Sequence, residues 1–263
     1  MISVLNKFYN KIINIFNNKT EVKKYCCICH SNVSEFSCYR GGWKAQPILM
    51  SILDIVGSDV DNFSCPLCGS HDRERHLYLY LEKLEIVNKL AGAKILHFAP
   101  EKRLSKIINE FKPLNYVKAD LFPTELDIEK IDMTNIPYES ETFDFVIANH
   151  VLEHIPDDFK ALSELIRVLK SGGIVILQTP FSSKLKSTFE DSGIDNDLLR
   201  LQVYGQEDHV RLYGLDIFDR FTSVGFVADL KHHESTLSDI DPIYYGVNAQ
   251  EPLFLFRKKS CVG

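Results

Sequence analysis

Two pairs of cysteines have the spacing of a metal site. Cys26 and Cys29 are separated by two residues, and so are Cys65 and Cys68. Each such turn can supply two thiolates, and two turns that meet in space give the tetrahedral ligand set of structural zinc. Cys27 is an alternative to Cys26, but only Cys26 has the two-residue spacing to Cys29. We therefore predict a structural zinc site at Cys26, Cys29, Cys65 and Cys68.

A second group of chemically capable residues follows a short apolar run. Phe143–Ala148 has the composition of a strand that is buried on both faces, and Asn149, His150, Glu153 and His154 come directly after it. Ligands of parallel α/β sheets bind beyond the carboxyl ends of the strands. Histidine has an unperturbed pKa near 6.5 and therefore suits general base catalysis.

The elements around this group predict a parallel sheet. A helix from about residue 157 carries an apolar stripe and is predicted to end at Gly172–Gly173, before a second buried strand at 174–177. A strand, a crossover helix and a strand form a parallel unit. Further strands are predicted at 94–98, 115–120, 128–133, 225–230 and 252–256, with helices at about 99–111 and 215–223.

The stretch FDFVIANHVLEHIPDD, followed by LIRVLKSGGIVIL, resembles the region from the fourth to the fifth strand of class I S-adenosylmethionine-dependent methyltransferases, with Ser171 in place of the usual proline. The motifs CPLCGSHDRER, LHFAPE (96–101) and DHVRLYG (208–214) resemble a bacterial subgroup that carries an N-terminal four-cysteine ribbon. The resemblance implies an α/β fold with a Rossmann-like seven-stranded sheet, in the order 3-2-1-4-5-7-6, and a small zinc-ribbon module.

The predicted organisation has three parts. Residues 1–20 have the apolar spacing of an amphipathic helix, residues 21–84 form the zinc ribbon and a connecting helix, and residues 85–263 form the methyltransferase domain with a lid insertion at about 180–214. The first helix either covers an apolar patch of its own protein or contacts a membrane surface or a partner.

The resemblance implies S-adenosylmethionine as cofactor. The turn after the first strand lacks the family's glycines, but Ala99 is small and Glu101 can accept a hydrogen bond from the cofactor ammonium. Asp120 ends the second strand, where a carboxylate can accept from both ribose hydroxyls. Asp132 matches the position beside the adenine amino group. The complete predicted set is Phe98, Ala99, Pro100, Glu101, Asp120, Leu121, Asp132, Met133, Asn149 and His150.

The lid at about 180–214 is long and polar, and it is expected to fold over the carboxyl edge of the sheet. We predict that His209 or His150 is the general base for methyl transfer. The residues expected to contact the substrate are Arg75, Tyr204, Arg211 and Tyr213.

Composition narrows the possible partners. The chain has 263 residues and a formal net charge of -6, and residues 21–83 carry seven Lys/Arg against eight Asp/Glu. A protein that holds phosphate backbones is usually basic, so nucleic acid is not the expected partner. Seven cysteines without a visible secretory signal indicate reduced thiols or metal ligands, and hence a cytoplasmic protein.

The leading functional hypothesis is methyl transfer to a small molecule or glycan, such as a precursor of surface polysaccharide. Two alternatives remain at this stage. One is a ribosomal-RNA base methyltransferase that holds RNA with its zinc ribbon. The other, motivated by the glycine-poor turn at Ala99, is a binding module that keeps the fold without the cofactor.

Overall fold

The structure is a computed structural model, and it describes residues 23–260. The helix predicted within residues 1–20 lies outside the described residues. The described chain begins with an antiparallel hairpin of β1 (Lys24–Cys26) and β2 (Ser31–Val33). The elements that follow are α1 (Ile48–Ile52), β3 (Ile55–Val56), α2 (Asp72–Lys83) and α3 (Val87–Leu90).

A seven-stranded sheet forms the centre of the molecule. Its strands are β4 (Lys94–Phe98), β5 (Asn115–Asp120), β6 (Glu129–Lys130), β7 (Phe143–Ala148), β8 (Leu169–Ile176), β10 (Phe226–Ala228) and β11 (Leu255–Lys258). The spatial order is β6-β5-β4-β7-β8-β11-β10. The first five of these are parallel, and β11 is antiparallel to both of its neighbours. This confirms the predicted order 3-2-1-4-5-7-6.

The remaining elements surround the sheet. Strand β9 (Phe181–Ser182) pairs with β3, which joins the start of the lid to the N-terminal segment. The helices after β4 are α4 (Lys102–Glu110), α5 (Asp158–Val168), α6 (Asp197–Tyr204), α7 (Ile217–Thr222), α8 (His233–Thr236) and α9 (Pro242–Tyr245). No helix in the described range 23–260 is long and apolar enough to cross a membrane.

The central strands are buried on both faces. Along β7, Phe145 and Ile147 pack in one core cluster, whereas Val146 and Ala148 pack in the other. Helices α5 and α7 cover the second face, and α2, α3 and α4 cover the first. The cluster on the first face also contains Cys26 and Cys65, so the cysteine-bearing segment shares a core with the sheet.

The glycine pair was predicted to end a helix, and that prediction is wrong. Helix α5 ends at Val168, and β8 begins at the next residue and runs through both glycines. A Cβ on Gly173 would lie 2.8 Å from the carbonyl oxygen of Lys170, and the register between β7 and β8 shifts at this point. Glycine therefore permits a bulge in the strand here.

Candidate active site

The turn after β4 carries a buried carboxylate. Ala99 adopts a left-handed backbone (φ 45°), and Glu101 then caps α4. Its Oε1 accepts a hydrogen bond from Asn149 Nδ2 at 2.6 Å, and its Oε2 lies 3.2 Å from His97 Nε2. Burial alone would raise the pKa of Glu101, but the hydrogen bond and charge of His97 outweigh it and lower that pKa. The side chain is therefore an anion.

The end of β7 faces this turn. Asn149 is 2% exposed, and its Oδ1 has no hydrogen-bond partner among the described residues. His150 follows with a left-handed backbone (φ 57°). A buried acceptor without a donor is costly, by about 1–3 kcal/mol, so this corner suits a ligand that brings a donor. An ammonium group beside Glu101 and Asn149 Oδ1 would satisfy it.

The other predicted cofactor residues lie at the ends of β5 and β6. Asp120 borders a cavity of about 190 Å³ together with Ala99 and Pro100, and its Oδ1 accepts from the Phe122 amide at 2.8 Å. Asp132 is exposed and accepts from Thr134. Of the apolar members of the set, Phe98 and Met133 are buried and Leu121 is exposed.

His150 lies between two buried carboxylates. Its Nδ1 is 3.4 Å from Glu153 Oε1, and its Nε2 is 3.5 Å from Glu251 Oε1. Burial alone would lower the pKa of His150, but the two glutamates raise it to about 9. The pKa of each glutamate falls to about 2, because the interaction with His150 outweighs burial. His150 is thus an imidazolium at neutral pH.

Sequence reasoning missed Glu251. It lies in the connection before β11, about 100 residues after His150, and no local motif marks it. Its Oε2 also lies 3.9 Å from His76 Nδ1, on α2. A buried acid between two histidines becomes visible only after the chain has folded.

A second cavity, of about 370 Å³, lies between the N-terminal segment and the lid. His150 and His209 both line it, as do Arg73 and several aromatic side chains. His209 is 4% exposed, and burial lowers its pKa. Its Nδ1 lies 3.1 Å from the Tyr204 carbonyl oxygen, and its Nε2 has no hydrogen-bond partner within the described part of the chain. The other lining residues include Tyr39, Trp43, Gln46, Met50, Phe63, Tyr204 and Gln206.

Three of the four predicted substrate residues lie outside this cavity. Arg75 is fully buried, and its guanidinium donates to the carbonyl groups of Asn62, Ser70, Tyr245 and Gly246. Arg211 donates to the carbonyl groups of Leu152, Ile155 and Pro156, and Tyr213 donates to Asp158 at 2.8 Å. These contacts fix loops behind the cavity wall. Tyr204 does line the cavity.

The four predicted cysteine ligands converge. Their sulfur atoms all lie within 4.8 Å of one another, with Cys26 and Cys68 at 3.8 Å and Cys29 and Cys65 at 3.9 Å. Zinc–thiolate bonds of about 2.3 Å in a tetrahedron require sulfur atoms about 3.8 Å apart, so the geometry fits a zinc ion. Cys27 instead donates to the Arg75 carbonyl group.

Comparison with known proteins agrees with the fold. A family described as a methyltransferase domain matches residues 90–177, about a third of the chain. The demethylmenaquinone methyltransferase of Staphylococcus haemolyticus is 42% identical over 45 residues, which are 17% of this chain and 19% of that protein. The one from Oceanobacillus iheyensis is 36% identical over 59 residues, or 22% and 25%. The chain thus spans about a fifth of the length of the first of these relatives.

Solved structures share the architecture at low identity. The cyclase SpnF aligns with a TM-score of 0.51 and 14% identity, covering 71% of this chain and 82% of that one. A putative methyltransferase from Bacillus halodurans aligns with a TM-score of 0.46 and 17% identity, covering 69% and 99%. The strand order and the alignment with SpnF show an α/β methyltransferase fold, and the domain match over residues 90–177 supports an S-adenosylmethionine-dependent methyltransferase.

Proposed function

We propose that this protein transfers a methyl group from S-adenosylmethionine to a small molecule or glycan, such as a precursor of surface polysaccharide. The observation that carries the proposal is the corner formed by Glu101 and Asn149. A buried anion meets a buried acceptor that has no partner in residues 23–260. The two lie at adjacent strand ends, inside the segment that matches the methyltransferase domain. Fold alone does not define the reaction, because the similar fold of SpnF belongs to a cyclase.

Several residues would hold the cofactor. Glu101 and Asn149 would bind its ammonium group. Asp120 Oδ1 accepts from the Phe122 amide, so Asp120 Oδ2 would accept from the ribose hydroxyls. Met133 would pack against the adenine and Asp132 would accept from its amino group. The bound cofactor would supply an electrophilic methyl group on its sulfonium. The chain contributes mainly alignment and exclusion of water, which provide much of the rate in such displacements.

The acceptor would bind in the 370 Å³ cavity, where aromatic faces and polar groups are mixed. Trp43 and Tyr39 offer flat apolar surfaces, and Arg73 and Gln206 offer hydrogen-bond donors. This combination suits a sugar ring or another polar ring.

His209 is the base in this proposal. Its Nδ1–H would donate to the Tyr204 carbonyl group, which leaves an electron pair on Nε2 at the cavity wall. His150 is flanked by carboxylates on both ring nitrogens, so it has no free electron pair with which to accept a proton. It would instead place a positive charge beside the acceptor.

Calorimetric titration with S-adenosylmethionine tests the proposal. Asp120→Asn removes a charged acceptor whose hydrogen bonds are worth about 1.5–3 kcal/mol, so the cofactor should bind about 10- to 100-fold more weakly. Asp239→Asn is the matched control, because Asp239 is exposed and pairs only with Lys83 among its described contacts. Absence of cofactor binding by the unmodified protein would refute the proposal.

We also propose that Cys26, Cys29, Cys65 and Cys68 hold a structural zinc ion. The sulfur distances support this, as does the shared core that the cluster joins. Elemental analysis of protein purified without chelator should give one zinc per chain, and Cys65→Ser should lose it. Cys38→Ser is the control, since Cys38 is exposed and lies outside the cluster. Well under one metal per chain would contradict the assignment.

A further inference from the structure

A second group of possible metal ligands lies beside the acceptor cavity. It contains nitrogen and oxygen ligands and no cysteine. Glu153 and His154 lie on a 3-10 turn, Leu152–His154, and His209 comes from the lid. One ligand atom from each of the three residues lies within 4.8 Å of the other two. We call this group the His–Glu cluster.

Each histidine of the cluster has an oxygen atom next to its Nδ1. His209 Nδ1 is 3.1 Å from the Tyr204 carbonyl oxygen, and His154 Nδ1 is 3.2 Å from Asp208 Oδ2. Histidines that bind metals almost always donate their second ring N–H to a carbonyl or carboxylate oxygen in this way. The arrangement fixes the tautomer and leaves Nε2 of each ring as the ligand atom.

The cluster also contains two buried acceptors that lack a donor. Glu153 Oε2 and His209 Nε2 have no hydrogen-bond partner in the residues that the structure describes, and the two residues are 1% and 4% exposed. The other oxygen of Glu153 already faces His150 at 3.4 Å. Two unsatisfied acceptors in one buried cluster favour a cation or a donor there, because each acceptor otherwise loses its solvation without compensation.

We propose that the His–Glu cluster binds a divalent transition-metal cation of the zinc, cobalt or nickel type through Glu153 Oε2, His154 Nε2 and His209 Nε2. Two imidazoles and one carboxylate are a ligand set that such cations accept, and three protein ligands leave a coordination position open. This cation is separate from the one at the cysteines, which has only sulfur ligands.

A metal ion in the His–Glu cluster should inhibit methyl transfer. This expectation rests on the proposed function, whereas the metal site itself does not. The cation and the acceptor proton would use the same electron pair on His209 Nε2. A loaded cluster therefore excludes direct proton transfer to His209, and methyl transfer should fall as the cation is added.

Titration with Co²⁺ tests the binding. Protein with one zinc per chain at the cysteines is freed of loosely held metal and titrated by calorimetry and visible absorption. One further equivalent should bind, with weak absorption of a nitrogen–oxygen site and without the strong near-ultraviolet bands of cobalt thiolate. No additional equivalent, or thiolate bands only, would overturn the proposal.

Variants assign the site. His154→Ala and Glu153→Gln should each abolish the added equivalent, and Asp208→Asn should weaken it about 10- to 100-fold through the orientation of His154. His232→Ala is the matched control, because His232 is exposed and outside the cluster. His154 is partly exposed, so His154→Ala should disturb folding least among these variants. Thermal melting checks that each variant is folded. Unchanged cobalt binding in folded His154→Ala would overturn the assignment.

The two proposals can fail independently. Cobalt binding without any binding of S-adenosylmethionine would remove the proposed function and leave the metal site. Methyl transfer that depends on His209, in a protein that takes up no further cobalt, would leave the function and remove the metal site.

Discussion

At the scale of single residues, the two histidines predicted as bases have opposite properties. Burial acts on both, but His150 has a carboxylate at each ring nitrogen and His209 has a backbone carbonyl group at only one. The local sequence does not reveal this difference, since one of the two glutamates comes from the connection before β11. Residue type identified the candidates, and three-dimensional contacts distinguish them.

His209→Gln should lower the turnover number about 100- to 10,000-fold, which is the usual contribution of a general base. Binding of S-adenosylmethionine should stay within about two-fold, because His209 lies on the acceptor side; a factor of two is under 0.5 kcal/mol. Single-turnover methyl transfer and calorimetry measure the two quantities in metal-free buffer. His232→Gln serves as the surface control, and a His209 variant with normal turnover would exclude this base.

At the scale of elements, buried arginines anchor the loops that carry the site. Arg211 crosses from the lid to three carbonyl groups of the segment after β7, and its neighbour Tyr213 reaches Asp158 on α5. The 3-10 turn Leu152–His154 and the two residues after it are therefore held by side chains 55 to 61 residues away in sequence. This bracing gives the lid a structural role as well as a place in the cavity wall.

Arg211→Met keeps most of the side-chain volume but removes every donor. One buried and two partly buried carbonyl groups, and the partner Glu190, then lose a charged donor. Loss of hydrogen bonds from a charged donor costs about 1.5–3 kcal/mol, so the urea midpoint should fall markedly.

The matched control for this change is Arg40→Met. Arg40 forms an exposed ion pair with Glu207, with 55% of its side chain accessible. Exposed pairs contribute at most about 1 kcal/mol, so the midpoint should hardly move. Equal losses in the two variants would show that Arg211 is not a structural anchor.

The sequence predicted some elements to the residue and others poorly, for a physical reason. Strands β4 and β7 have their predicted bounds, because they are almost fully buried and their apolar runs end sharply. Strand β5 also has its predicted bounds, although buried residues alternate there with partly buried ones. Strand β6 is only two residues long and exposed at the sheet edge, so the six-residue prediction there was too long.

The site was predictable where it follows strand ends and unpredictable where it depends on burial. The sequence pointed to Glu101 and Asn149 because sheet topology fixes where strands end, and to the cysteines because of their two-residue spacing. Arg75 was expected at the substrate because it is basic and close to a motif, yet Arg73 is the residue that lines the cavity. Residues two apart on the same helix face different directions, and the local pattern did not show which one faces inward.

At the scale of the whole molecule, the decrease in the free energy of unfolding at acid pH should depend on Asp158. This side chain is 1% exposed; burial would raise its pKa, but hydrogen bonds and charges from Arg220, Arg211 and Tyr213 outweigh it and lower the pKa below its usual value. Because the pKa is lower in the folded state, the stabilisation is complete at pH values above the pKa of Asp in the unfolded chain, roughly 3.9. It is lost as the pH falls through the pKa of Asp158 in the folded protein.

Asp158→Asn should therefore be less stable than the unmodified protein at pH 7 and should lose less of its stability below about pH 4. Urea unfolding at several pH values measures this. Asp239→Asn should follow the unmodified protein closely, because the Asp239–Lys83 pair is exposed and such pairs contribute little to stability. Parallel pH curves for the Asp158 variant and the unmodified protein would contradict the prediction.

Removal of the proposed zinc should affect the entire fold. Cys26 and Cys65 belong to the same buried cluster as Ile95 of the central sheet. A chelator should therefore lower the midpoint of a single thermal transition, because metal binding free energy is folding free energy here. Near- and far-ultraviolet circular dichroism should report the same midpoint, and two separated transitions would show that the cysteine segment unfolds independently.

The short pairing of β3 with β9 bears on which parts of the chain can vary together. It joins the N-terminal segment to the start of the lid, with Ile55 opposite Ser182. The cavity wall on that side is thus built largely from residues 39–73 and 180–212, whereas the residues proposed to hold the cofactor lie within residues 90–177. Under the proposed function, selectivity for the acceptor would therefore vary mainly through these two paired segments, within the limits set by the core that the N-terminal segment shares with the sheet.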